Sequence, residues 1–387
     1  MDDSHIVQFE KARLKDSSSF SGSPFHYSMD MEFLNSEGLF IVSEWPENEN
    51  SGPKISTWKW NGWSVEKIGS SELPDRGDVP YSPSSQCGVK LAYSKAYLSS
   101  IFITRCMSNT SVSLESYSLD ESGVLLPETR QTLIHFDTRN HWGSYEHLVG
   151  EMDFGSDGML WIFMGYGNMD NTSQDPMSPF GSILRVSVNE SSISPADGNP
   201  FEINSGWDSM VYANGLRMPW TAAQDESGNW WVGDVGEAQF ERIQLVDRPG
   251  INFGYYKHRW IEPGDGNCTY CDNFQSDFLN YSRELDHRFM VEDTESFESY
   301  YAANWVGVQL PDSEFIPEDF VGGIVFGDFT RGFIRVINND GSANSTHIGH
   351  LVGVVDVEVL NGEVFFLTTG VQISSEVREA GFWKLVF

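Results

Sequence analysis

The stretch GEMDFGSDGMLWIFMG, residues 150–165, decides the fold. An alternating run ends at Asp157-Gly158, and a second run rich in aromatic and apolar residues follows. Asp-Gly between two such runs is a hairpin signal, because glycine takes the positive φ that the turn requires. The phrase returns as MDMEFLNSEGLFIVSEW (29–45), WTAAQDESGNWWVGDVG (220–236) and VVDVEVLNGEVFFLTTG (354–370), with turns at Gly38, Gly228 and Gly362. Two weaker copies fill the gaps, GVKLAYSKAYLSSIFITRC around Leu98 and DFVGGIVFGDFTRGFIRVI around Val325. Six units, at intervals of roughly 60–70 residues, are each long enough for a four-stranded sheet and its loops. The pattern predicts an all-β chain folded as a six-bladed β-propeller.

The strands between these hairpins read the same way. SILRVSV and RIQLV alternate as half-buried strands do, and ISTWKWNGWSVEKI is a hairpin turning on Asn61-Gly62. A β-sandwich or two β domains is the alternative, but no Pro/Ser-rich linker divides the chain. Residues 1–20 are polar and are expected to form a flexible N-terminal segment, leaving 21–387 as one propeller domain. Trp230 and Trp231 are expected to pack between blades.

Composition narrows the function. A formal net charge of −32 argues against nucleic acid and anionic membrane surfaces as partners, since their phosphates would be repelled. No apolar run approaches the roughly 20 residues of a membrane span. The N-terminus carries no apolar signal core, but other features point to an extracellular or secretory-pathway protein whose signal peptide is absent from this chain. Sequons stand at Asn109, Asn171, Asn189, Asn267, Asn280 and Asn344, and the cysteines fall into two local pairs, Cys87 with Cys106 and Cys268 with Cys271. Disulfides are favoured over zinc, because there is only one CxxC and no second ligand pair.

A series of short phrases carries a resemblance. His147, Gly150, Phe154, Gly155, Asp157 and Gly158 form H-x-x-G-x-x-x-F-G-x-D-G; Gly181 to Arg185 form G-x-I-L-R; Gly215, Leu216, Arg217 and Pro219 form G-L-R-x-P. Gly233 to Gly236 with Glu241, Asn252 to Tyr255, and Phe326 to Phe329 follow in order. In this order the phrases resemble the soluble sugar dehydrogenases that use pyrroloquinoline quinone, with their glucose/sorbosone dehydrogenase and Hedgehog-interacting-protein relatives. Those are six-bladed propellers, and the resemblance is densest from His147 to Gly254.

The resemblance implies a function: quinone-dependent oxidation of an aldose at its anomeric carbon, with electrons passed to an external acceptor. His147 matches the general base, a role that suits an imidazole titrating near working pH. Arg217 matches an arginine held against the quinone, where a fixed cation stabilises developing negative charge. Gln86 matches a substrate-holding glutamine. The carbonyls of Gly236 and Glu237 match a loop that binds calcium beside the cofactor. Arg331, Arg335 and Arg378 are candidates to hold the cofactor's carboxylates. Two positions depart from the pattern. Tyr166, a candidate substrate contact, stands where the family has an Asp that pairs with the histidine, and Met218, beside the cofactor, stands where it has an Asn. The alternative reading is a catalytically degenerate propeller that binds a glycan or a protein.

Overall fold

A computed structural model describes residues 7–15, 23–46, 51–74, 88–94, 100–108, 111–137, 147–169, 172–189, 191–202, 205–206, 208–256, 259–260, 274–283, 302–370 and 379–387. Six sheets form the blades, and each runs from its inner strand outward. Blade 1 holds Ser28–Phe33, Leu39–Glu44, Lys54–Trp60 and Ser64–Glu72; blade 2 holds Val89–Tyr93, Ser100–Ser108, Ser111–Leu119 and Leu125–Asp137. Blade 3 holds Val149–Phe154, Leu160–Met164, Ser182–Val188 and Ile193–Pro195; blade 4 holds Pro219–Gln224, Trp230–Asp234, Phe240–Val246 and Leu279–Ser282. Blade 5 holds Asn304–Gln309, Ile324–Asp328, Phe333–Ile337 and Ser345–His350; blade 6 holds Val354–Leu360, Glu363–Thr368 and Gly381–Val386.

The inner strands touch in succession, and that of blade 6 touches that of blade 1, so the ring is closed. The fourth strand of blade 6 comes from the other end of the chain: Gln8–Lys11 pairs antiparallel with Gly381–Val386. Arg13–Leu14 then pairs in parallel with Ser64 and Val65 of blade 1. Within the stretch expected to be a flexible segment, residues 8–11 and 13–14 are therefore strands of the ring. Blade 6 would otherwise leave an outer edge of unpaired N–H and C=O groups, and Phe9 and Leu14 add packing against the apolar core. Polarity concealed these strands because Glu10 and Lys11 face solvent.

The hairpin glycines behave as their sequence requires: φ is 83° at Gly38, 75° at Gly158, 86° at Gly228 and 84° at Gly362. The copy around Val325 is out of step by one strand. It covers the second and third strands of blade 5, whereas the inner strand is the upstream NWVGVQ, Asn304–Gln309. Between blades the core is aromatic. Trp230 points at blade 3, with its ring 5.5 Å from Trp161 and 5.2 Å from Phe163. Trp231 clusters with Ile324 and Phe326 of blade 5. Adjacent strand residues face opposite ways, so one dipeptide seals two interfaces. Among the described residues no helix is long and apolar enough to cross a membrane.

Inner strands are edges, and their free backbone donors need partners. Carboxylates supply them across blade boundaries. Asp30 of blade 1 accepts from Leu91 N of blade 2 at 2.7 Å, and Asp356 of blade 6 accepts from Met31 N of blade 1 at 2.8 Å. The Lys90 ammonium bridges Asp30 at 2.8 Å and Glu151 at 3.1 Å. One oxygen from each of Asp30, Glu151 and Asp356 lies within 4.8 Å of the others. Two residues further along the same strands stand Glu32, Asp153 and Glu358, which line a second cavity of about 290 Å³ with them.

Candidate functional site

At the other end of the ring, a cavity of about 290 Å³ draws its walls from all six blades. Bulges in the inner strands shape it. The registers of blades 1, 4 and 6 shift between Ser28 and Asp30, Pro219 and Thr221, and Val354 and Asp356. The residues inside those shifts, Met29, Trp220 and Val355, all line the cavity. A bulge breaks the strict alternation of the strand and re-aims a side chain.

His147 and Arg217 meet here. His147 precedes the inner strand of blade 3 with φ 60°, a left-handed backbone that costs a non-glycine residue on the order of 1–3 kcal/mol. Two backbone bonds hold it: its carbonyl accepts from Gly167 N at 2.7 Å, and that of Leu148 accepts from Gly165 N at 3.1 Å. Gly165 must be glycine, because a Cβ there would lie 2.1 Å from the His147 oxygen. Burial, and then the charges of Arg217 and Arg283, push the imidazole well below its ordinary range, so the ring is neutral at working pH. Its Nδ1 is buried without a hydrogen-bond partner.

Arg217 lies between blades 3 and 4. Its backbone N–H and that of Met218 donate to Asp234, at 3.1 and 2.7 Å. Its Nη1 donates to the Val235 carbonyl at 2.9 Å, while its Nε is buried and unpartnered. The guanidinium lies 5.5 Å from the centre of the Tyr166 ring. Tyr166 fills the place expected of a carboxylate beside His147. Its ring stands 6.1 Å from the imidazole, and its hydroxyl donates to Asn168. Met218 lines the cavity as an apolar wall.

The other expected residues divide. Gly236 lines the cavity, but the carbonyls of Gly236 and Glu237 accept from the Arg283 guanidinium, at 2.6 and 3.0 Å. Glu241 anchors that guanidinium at 2.6 Å and also accepts from Asn304 N at 3.0 Å. A calcium ion does not fit this loop, because its carbonyl ligands already hold a cation. Arg331 turns to the carbonyls of Ser282 and Arg283, and Arg335 to Ser345, so neither lines the cavity. Gln86 and Arg378 lie outside the described residues, as do Cys87, Cys268 and Cys271. Cys106 is buried. Asp234 and Asp328, the acids of the two G-D phrases, are buried caps: Asp328 accepts from Thr330 N at 2.9 Å and Arg331 N at 2.8 Å.

Sequence reasoning missed Arg283, which belongs to no phrase. It also missed Trp45, Trp220 and Phe329, whose aromatic rings enter the cavity only because of bulges and turns. Lys90 could have been found, since a lysine inside the apolar run VKLAY is costly unless paired. Among the described lining residues are Lys90, His147, Arg217 and Arg283, and no carboxylate, in a chain with net charge −32.

Residues 97–269 match the glucose/sorbosone dehydrogenase family. The resemblance carried by the short phrases is borne out over that stretch. The HIPL1 protein of Arabidopsis thaliana is 32% identical over 28% of this chain, and the aldose sugar dehydrogenase YliI of Escherichia coli is 28% identical over 32%. These matches span only 18% and 31% of the two relatives' own lengths. The PQQ-bound aldose sugar dehydrogenase of Streptomyces coelicolor superposes with a TM-score of 0.68, at 17% identity, over 98% of both chains. The apo-form of the soluble aldose sugar dehydrogenase of Escherichia coli gives 0.63 at 16% identity, over 98% of this chain and 99% of its own. The six-bladed β-propeller is therefore shared, and the family supports a sugar-oxidoreductase-like propeller.

Proposed function

We propose that the cavity binds a pyrroloquinoline-quinone-type cofactor and an aldose, and that the chain oxidises the sugar at its anomeric carbon. The observation that carries this is the meeting of His147 and Arg217 in one cavity, where the buried Arg217 Nε lacks an acceptor. A quinone or carboxylate oxygen supplies that acceptor, and Trp45, Trp220, Met218 and Phe329 offer walls for a flat ring. Arg217 and Met218 would hold the cofactor, with Arg283 adding a second fixed positive charge. When bound, the quinone supplies the two-electron acceptor.

The chain's own part is proton chemistry and orientation. A neutral His147 accepts the proton of the sugar hydroxyl, and the nearby guanidinium charges disfavour its cationic form, which promotes later release of that proton. Apolar walls limit water around the reacting groups. The test is reconstitution with the quinone, then dye reduction with a panel of aldoses. Activity lost in His147→Ala with quinone binding retained supports the proposal; no quinone binding by the wild type refutes it. Exposed sequon residues Asn189, Asn280 and Asn344 favour a secreted glycoprotein whose electrons leave to an external acceptor. Pairing of Cys106 with Cys87 is part of this proposal.

A second reading is a non-catalytic propeller that binds a glycan or protein. The unpartnered Nδ1 of His147, with Tyr166 in place of the orienting carboxylate, favours it. Quinone binding without turnover of any aldose would select it.

A further inference from the structure

The Val235–Glu237 loop presents three consecutive carbonyls, and guanidinium groups occupy all three. Arg217 Nη1 donates to Val235 O at 2.9 Å, Arg283 Nη2 to Gly236 O at 2.6 Å, and Arg283 Nη1 to Glu237 O at 3.0 Å. Arg283 Nη2 also donates to Ala302 O at 2.8 Å, and its Nε to the buried Glu241 at 2.6 Å. The side chain thus ties the loop after the second strand of blade 4 to that blade's third strand and to the approach to blade 5. A hard cation gathers loop carbonyls and a carboxylate in the same way. Here a planar, permanently charged side chain performs the gathering, with its donors matched to several oxygens at once.

We infer that Arg283 is a built-in replacement for a metal ion: with Arg217 it organises the Val235–Glu237 carbonyls, so the cavity is assembled and charged without calcium. Glu241 is the counter-ion that holds the replacement in place. A ligand oxygen entering the cavity therefore meets guanidinium N–H groups directly, with no bridging metal. A calcium ion close enough to bind Gly236 O and Glu237 O would sit against the Arg283 guanidinium and could enter only by expelling it.

Crystals of the full chain grown in millimolar calcium chloride decide the point. The expected result is guanidinium density on the three carbonyls and no anomalous calcium signal there. An anomalous peak bridging Gly236 O and Glu237 O, with Arg283 swung out, overturns the inference. In solution, the imidazole Hε1 resonance of His147 reports charge in the cavity. It is expected to be the same in calcium as in matched magnesium for the wild type, and to move in Arg283→Gln. A calcium-specific shift in the wild type overturns the inference, and that arm needs no variant. Neither readout involves sugar oxidation, so failure here is separate from failure of the proposed activity.

Discussion

Asp153→Asn is expected to stabilise the protein at pH 8 and to lose that advantage in acid. Asp153, Glu32 and Glu358 line the second cavity, and no cation lines it beside them among the described residues. Burial, then the charge of Glu151, pushes the Asp153 carboxyl from its ordinary 3.8 to about 7. That rise corresponds to ~4 kcal/mol between the protonated and ionised forms. That is a ceiling, because relaxation and water entry recover part of it. The folded-state value is raised, so between about pH 4 and 7 the folded chain binds the extra proton. Stability contributed by this group is therefore present at low pH and lost as pH rises toward 7. An asparagine removes the charge and keeps an oxygen for the Phe154 N–H, which Asp153 accepts at 2.6 Å. The expected gain is about 1–3 kcal/mol at pH 8, shrinking toward zero near pH 4. Urea unfolding of both proteins at several pH values, followed by tryptophan fluorescence, measures it. A gain that does not vary with pH, or a loss at pH 8, refutes the reasoning.

Three further expectations rest on other parts of the ring. Trp230→Ala empties the contact between blades 3 and 4 and should cost about 3–5 kcal/mol in the same assay. Lys90→Met leaves Asp30 and Glu151 buried without their cation; it should cost about 3–5 kcal/mol at pH 8 and less at pH 5, since burial already raises the Asp30 carboxyl and a proton there takes the place of the ammonium. Tyr166→Asp places a carboxylate near His147 and should raise the imidazole pKa by roughly one to three units in an NMR titration; an unmoved midpoint would mean that the two side chains do not face each other.

The propeller was legible because its signals are local. Gly38, Gly158, Gly228 and Gly362 each sit between alternating runs, and each takes the positive φ that its turn demands. The closing strand was not legible, because Gln8–Lys11 is polar and its partner Gly381–Val386 lies at the far end of the chain. His147, Arg217 and Met218 could be placed in the cavity from their phrases alone. Arg283 could not, since its role comes from four hydrogen bonds to residues that no spacing connects. Arg331 misled for the opposite reason. It stands beside a recognisable phrase, but its guanidinium is spent on the carbonyls of Ser282 and Arg283.

The acids of this chain explain why its cavity is cationic. Burying Arg217, Arg283 and Lys90 is tolerable only with compensation. Asp30 and Glu151 supply it for Lys90, Glu241 for Arg283, and Asp234 through the backbone N–H groups of Arg217 and Met218. All of these carboxylates lie behind the cations as seen from the cavity, since none lines it. Burial pushes Asp234 and Glu241 up to about 7, even though a guanidinium or backbone donor faces each and draws it down. Acidification then acts on the two sides in opposite directions. Protons taken up by raised carboxyls stabilise the fold relative to the unfolded chain, whereas a proton forced onto His147, whose range is depressed, destabilises it. Among the described residues, eight raised carboxyls stand against three depressed imidazoles, those of His147, His347 and His350, so net stability should increase as pH falls from 7 toward 5, the reverse of ordinary acid denaturation. A melting midpoint that falls over that interval would show that the buried acids are ionised and well paired, and that the cavity's positive field rests on stronger support than burial allows.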